Sequence, residues 1–214
     1  MNKVEKTIQF LNKAFDDSEY LNKNLYDKKY RLEHTFRVAN IGKTIALKEG
    51  FDVEAMIVAC LLHDISYCDT FNSREDWLNH GRRAYQLSHE FVKSLHFDKQ
   101  TENDILYGIA IHVDDEADFE GEKTPFALCI GDADNIDRFD TYRIYETLKN
   151  DNFDEMSLID QETKCIQRIQ NLEKLLEHKF ATPTSTELFH EKVSFQLEFY
   201  HKLKRQLENS KSIL

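Results

Sequence analysis

Apolar side chains recur at helical spacing along most of the chain. Val4, Ile8, Phe10, Leu11 and Phe15 fall close to one face of a predicted helix over residues 3–15. A longer helix is predicted from Asp27 to Lys48, with Leu32, Phe36, Ala39, Ile41 and Ile45 toward the core and Gly50 where a left-handed C-terminal cap is wanted. Asp52 suits the N-cap of the next segment, VEAMIVACLLHDI, which is apolar nearly all round and reads as the central buried helix. Residues 66–79 lose this periodicity and read as a loop. The helical pattern resumes in NHGRRAYQLSHEFVKSLHF through Ala84, Leu87, Phe91 and Leu95, and Asp98 caps a further helix carrying Ile105, Ile109 and His112. The stretch DDEADFEGEKTP is too polar to bury, and Thr124 followed by Pro125 starts the helix PFALCIGDADNID. Residues 157–180 and 186–208 read as two amphipathic helices separated by ATPTST, an expected helical hairpin packed on the core.

Composition sharpens this to an all-α fold. Only 2 Pro and 6 Gly in 214 residues leave little material for tight hairpins. The expected organisation is a core over residues 1–150 with a helical extension over 151–214, in a single globular unit. With 39 acidic against 28 basic residues the formal net charge is -11, which opposes binding to nucleic-acid polymers or anionic membranes. A phosphate-bearing ligand must then find a local cationic site. The start, MNKVEKTIQFLNKAF, has no continuous apolar core of a signal peptide, and no apolar stretch approaches the roughly 20 residues that span a bilayer, so a cytoplasmic location is expected. Cys60, Cys68, Cys129 and Cys165 show no CxxC spacing, fit a reducing compartment and read as packing residues or idle thiols.

The helical pattern is interrupted where chemistry is possible. LLHDISY places His63 and Asp64 directly after the most apolar run of the chain, where an ionised carboxylate is costly without a cation. A lone His-Asp pair means little, because about one is expected by chance in a chain of this composition with 9 histidines. Two other buried stretches share the oddity: His34 in LEHTFRVANI, and Asp132 and Asp134 in PFALCIGDADNI. Imidazoles with carboxylates suit Mn, Fe, Zn, Ni or Mg rather than thiolate-seeking metals, and leave room for an activated water.

In this order, H…HD…D on successive helices over about residues 30–148, the chain resembles the HD-domain metal-dependent phosphohydrolase superfamily. The resemblance implies a helical-bundle fold with His34, His63, Asp64 and Asp134 as metal ligands. His80 in NHGRRAY and His112 in GIAIHVDD fall where dinuclear members carry additional histidines. They are expected to line the site as phosphate or water contacts, with binding of a second metal or a purely structural role as the alternatives. The tail, NLEKLLEHKFATPTSTEL followed by FQLEFYHKLKRQL, is similar to small stand-alone bacterial members associated with nucleotide hydrolysis.

The implied activity is hydrolysis of a phosphate ester or anhydride of a small molecule, with a nucleotide as the expected substrate. Asp64 is expected both to ligate and to receive a proton from the attacking water, with Asp132 or Glu33 as neighbouring acceptors and His80 or His112 as proton donor to the leaving group. Asp132 is otherwise expected to orient the ligands from behind. Arg37, Arg82, Arg83 and Arg138 are the candidate phosphate contacts, each with a surface ion pair as its equal alternative, Arg138 on condition that its helix continues past Asp134. Some branches of the superfamily carry a lysine three residues after the HD aspartate; here the position is Tyr67, which can stack a base or cap the pocket. Competing activities are a phosphodiesterase, a dinuclear-iron oxygenase and a non-catalytic nucleotide-binding module. Sequence leaves the oligomeric state open.

Overall fold

Capping chemistry sets where the helices begin and end. In a computed structural model describing residues 1–211, α1 (Lys3–Asp16) starts at a reciprocal capping box: Glu5 N donates to Asn2 Oδ1 at 2.8 Å and Asn2 N to Glu5 Oε2 at 3.0 Å. A short α2 (Glu19–Lys23) follows, then α3 (Leu25–Glu49), which stops at Gly50 with φ 76°, a left-handed conformation that glycine adopts without a Cβ clash. Asp52 caps α4 (Val53–Leu62) by accepting from Ala55 N at 2.9 Å, as its position predicts. After α4 come a 3₁₀ turn (Ile65–Cys68), α5 (Arg74–Leu78), α6 (His80–Ser94), α7 (Lys99–Ile111) and α8 (Pro125–Asp137). α7 is capped by Asp98, whose Oδ1 accepts from Gln100 N and Thr101 N.

The chain divides into two compact units, Met1–Asp134 and a second that begins at Asn135. In the first, α4 is the central helix: it packs on α1, α3 and α7, and buries Ala55, Met56, Val58, Ala59, Cys60, Leu61 and Leu62. α6 lies along α7, and α7 meets α8 through Tyr107, Ile111 and Ala127. In the second unit α9 (Thr141–Asn150) contacts α11 (Pro183–Glu208), and α10 (Leu158–Leu175) runs along α11 as the expected hairpin. Thr182 caps α11 with Pro183 at its first position, so this helix starts earlier than residue 186. Phe139 and Phe180 both pack edge-on against Phe189, and Gln196 Nε2 donates to Phe139 O at 2.6 Å.

Three departures from the pattern-based expectation have local causes. Residues 66–79 are not a plain loop but contain the 3₁₀ turn and α5, whose capping box (Ser73 with Asp76) was hidden by the absence of apolar periodicity. On α3 the buried stripe is His34, Thr35, Val38, Ala39, Gly42, Ile45 and Ala46, which leaves Phe36 off the core face and 36% exposed. α9 carries Ile144 inward but few other buried side chains, too weak a signal to read from sequence. No helix among the described residues is long and apolar enough to cross a membrane.

Gly81, at the start of α6, fixes how closely α6 approaches α7. A Cβ there would lie 2.6 Å from Ala110 O and 3.1 Å from His112 Nδ1, and backbone cannot swing aside. Gly81→Ala is expected to lower unfolding free energy by about 1–3 kcal/mol, measured by urea denaturation.

Candidate metal centre

The site is assembled at helix ends. α4 stops at Leu62, His63 is its C-cap, and Asp64 turns into the sparsely populated bridge region (φ −105°, ψ 14°) before the 3₁₀ turn. His112 is likewise the C-cap of α7, and His80 opens α6 immediately after α5. One device orients all three rings. His63 Nδ1 lies 2.7 Å from Cys60 O, His80 Nδ1 2.5 Å from Trp77 O, and His112 Nδ1 2.8 Å from Ile109 O. A carbonyl can only accept, so each Nδ1 carries the hydrogen, and in the neutral ring each Nε2 presents a lone pair. These carbonyls belong to final helical turns, which leave such groups without an intrahelical partner.

The Nε2 atoms converge on two carboxylates. Asp134 Oδ1 is 3.1 Å from His34 Nε2 and 4.0 Å from His63 Nε2. Asp64 works with both oxygens: Oδ2 is 3.6 Å from His34 Nε2 and 3.6 Å from His63 Nε2, while Oδ1 is 3.3 Å from His80 Nε2 and 3.6 Å from His112 Nε2. Two overlapping triads, His34/His63/Asp134 and His63/Asp64/His112, each keep their ligand atoms within 4.8 Å of one another, and they share His63. His63 is fully buried and its Nε2 has no hydrogen-bond partner, although leaving such an atom unsatisfied costs about 1–3 kcal/mol. On the other side, His80 Nε2 and His112 Nε2 are 3.1 Å apart, a separation that two inward lone pairs keep only with a shared proton or a metal ion between them. The donor set therefore fits a divalent ion.

Electrostatics point the same way. Burial pushes the His63 imidazolium down to about 4, so the ring is neutral and available as a ligand near neutral pH. Desolvation opposes a charge on His112, but the neighbouring Asp64 outweighs it and raises the ring's pKa. Burial would push both carboxyls up; instead His63, His112, His80 and Arg31 hold Asp64 well below the usual carboxylate range, and His34 brings Asp134 down to about 2. Both carboxylates stay ionised at neutral pH.

The other anticipated residues are distributed unevenly. Asp132 is buried on α8 but two positions from Asp134, about 200° around the helix, and joins neither triad. Arg82 is not directed at a phosphate: Nη1 and Nη2 donate to Asp114 at 3.1 Å, Nη1 to Glu116 O at 3.1 Å, and Nε to Asn79 Oδ1 at 2.9 Å, tying the segment after His112 to the start of α6. Arg83 pairs with Asp69 at 2.6 Å. Arg138 lies just beyond the end of α8 and is exposed, because that helix does not continue past Asp137. Arg37 is half-buried one turn after His34. Tyr67 is beside the site, its ring 5.2 Å from that of His80.

A guanidinium that reaches the centre is that of Arg31, which sequence reasoning missed. Arg31 Nη1 lies 3.1 Å from Asp64 Oδ2, and its guanidinium sits 3.3 Å from the Tyr67 ring centroid. The available signal was its position three residues before His34, one turn along the same face of α3.

Fold and site together define an all-helical protein with a buried His/Asp centre built for a divalent cation. The HD domain family model matches residues 31–138, just over half of the 214-residue chain. The chain belongs to the HD domain family, which places it at family level among metal-dependent hydrolases. A crystal structure of a predicted HD superfamily hydrolase from an uncultured Thermotogales bacterium has a similar fold, with TM-score 0.64 and 19% identity over 96% of this chain and 93% of that one. No curated protein matches the chain.

The two arginines provide a test of their reassigned roles. Arg82→Ala is expected to cost about 1–2 kcal/mol of stability, since its side chain is only 13% exposed and donates to several partners, although Asp114 and Glu116 lie at the surface. Arg83→Ala, with an exposed partner, should cost about 0–1 kcal/mol in the same urea titration.

Proposed function

We propose that this protein is a two-ion metal-dependent phosphohydrolase that cleaves a phosphate ester or anhydride of a small molecule, a nucleotide being the substrate class. The observation that carries the reading is the division of Asp64 between two sets of bare imidazole nitrogens, Oδ2 toward His34 and His63 and Oδ1 toward His80 and His112. His34, His63, Asp64 and Asp134 would hold one ion; His80, His112 and the second Asp64 oxygen would hold the other. This gives His80 and His112 the ligand role in preference to that of phosphate contacts around a single metal.

Divalent ions held there would supply an acidified water and offset the negative charge of the phosphoryl group. The chain's own contribution is positional. Three Nδ1–H···O=C bonds fix the imidazoles before substrate arrives, and the ionised Asp64 is available to take up the proton that the attacking water loses. Arg31, beside Asp64, presents a fixed positive charge to an incoming phosphate. With two ionised carboxylates and one guanidinium the centre carries a net charge of about −1. It becomes attractive to an anion only once divalent cations are bound, which couples substrate binding to metal loading.

Purified protein is expected to contain about two equivalents of divalent ion and to release phosphate from nucleotides. Metal analysis combined with a phosphate-release screen checks this. His80→Ala should retain about one equivalent; Asp134→Ala and His63→Ala should lose turnover and metal with the helical circular-dichroism signal intact. Undiminished metal content in the latter two would contradict the ligand assignment. Turnover with Mn under anaerobic conditions speaks for hydrolysis, whereas a strict oxygen requirement would replace it with the dinuclear oxygenase reading. Recovery of a linear or ring-opened ester as sole product would indicate a phosphodiesterase, and nucleotide binding without turnover under any metal a binding module.

A further inference from the structure

The segment between Asp64 and His80 carries three large aromatic side chains that the metal centre does not use. Tyr67 and Phe71 lie 4.8 Å apart by ring centroid, and Phe71 is 6.3 Å and Trp77 6.0 Å from the ring of His80. They are not equivalent. One face of Tyr67 is covered by the Arg31 guanidinium, and burial pushes its phenol up to about 12, so it remains neutral. Tyr67 is thereby committed to holding Arg31 against Asp64. Phe71 is half-buried, while Trp77 is 43% exposed on α5, a helix that buries none of its own side chains.

An exposed tryptophan contributes little to a core, yet this one is held in place from several directions. The Trp77 carbonyl accepts the His80 Nδ1 hydrogen at 2.5 Å, so its backbone is tied to the ring of a candidate ligand. Asp76 Oδ2 accepts from Asn72 N at 2.8 Å and Ser73 N at 3.1 Å, which fixes the entry to α5. Arg83 and Asp69 pair at 2.6 Å and hold the other end of the segment to α6. The result is an exposed indole held beside the second set of ion ligands, on a protein whose net charge of -11 otherwise offers a flat anionic molecule little attraction.

We infer that Trp77 forms a stacking subsite for a planar ring joined to the phosphate group that is cleaved. The inference rests on the phosphohydrolase reading and deepens it: the substrate carries a nucleobase-like ring, and neither a bare sugar phosphate nor inorganic polyphosphate fills the site. Stacking on an aromatic side chain tolerates different bases because each has a π-face, so discrimination is between ring and no ring rather than among bases. Trp77 is the specificity-determining residue in this scheme, while Tyr67 is a positioning residue acting through Arg31.

Trp77 is the single tryptophan of the chain, so its intrinsic fluorescence reports on this surface alone. In the metal-loaded protein, adenosine monophosphate should quench that fluorescence and bind about 5- to 150-fold more tightly than ribose 5-phosphate by calorimetry. Trp77→Ala should bring that ratio close to one, and Trp77→Phe should restore most of it, with circular dichroism verifying the fold of each. Equal affinities for the two compounds in the wild-type protein, or a ratio that survives Trp77→Ala, would overturn the subsite while leaving the hydrolase reading intact. Failure of both compounds and of inorganic phosphate to bind would remove the hydrolase reading and the subsite with it.

Discussion

Burying several lone pairs and carboxylates against one another is unfavourable unless positive charge is placed among them, and the first unit is organised around that requirement. The neutral rings of His63, His80 and His112 turn Nε2 lone pairs inward because their Nδ1 hydrogens are already given to carbonyls. Asp64 and Asp134 are ionised in surroundings that would otherwise favour the neutral acid. Arg31 supplies one fixed charge from the side of α3, paired with Asp64. The remaining demand sits between His34, His63 and Asp134, and again between His80, His112 and the far oxygen of Asp64. A divalent cation answers such a demand at lower cost than a protonated side chain, because it accepts several of these donors at once.

The centre is rigid because it is built from helix termini. A helix end leaves carbonyls with no partner inside the helix, and here those groups orient the imidazoles that follow them by three residues. His63 and Asp64 can point to different parts of the centre only because α4 stops at Leu62 and Asp64 leaves the helical region of backbone space. Gly81 then lets α6 come close enough to α7 for His80 and His112 to meet. Arg82 reinforces that approach from outside, joining the residues just after His112 to those just before His80. Local backbone geometry, interhelical packing and ligand placement are thus consequences of the same few positions.

Charge and aromatic surface are separated around the centre. The arginine that faces Asp64 is held flat by Tyr67, whereas Arg82 and Arg83, adjacent to His80 in sequence, are engaged with Asp114 and Asp69. Adjacency in sequence was a poor guide to which cation reaches the site, since consecutive residues on α6 diverge by about 100°. Phe71 and Trp77 border the His80 side of the centre, their rings 6.3 Å and 6.0 Å from that of His80.

Much of this protein is determined by the sequence alone. The all-helical class, the buried character of α4, the caps at Gly50, Asp52 and Asp98, and the start of α8 at Thr124-Pro125 follow from period and cap chemistry, which act over a few residues. The family is legible too, because His34, His63, Asp64 and Asp134 each interrupt an apolar helix where a polar residue needs a reason. Other features were decided only by the tertiary structure. Which oxygen of Asp64 faces which imidazole, the contact of His80 with His112, and the arrival of Arg31 rather than Arg82 depend on how separate helices approach each other. Those approaches are set by side-chain volumes at packed interfaces, such as the missing Cβ of Gly81, and no pattern within a single helix contains that information.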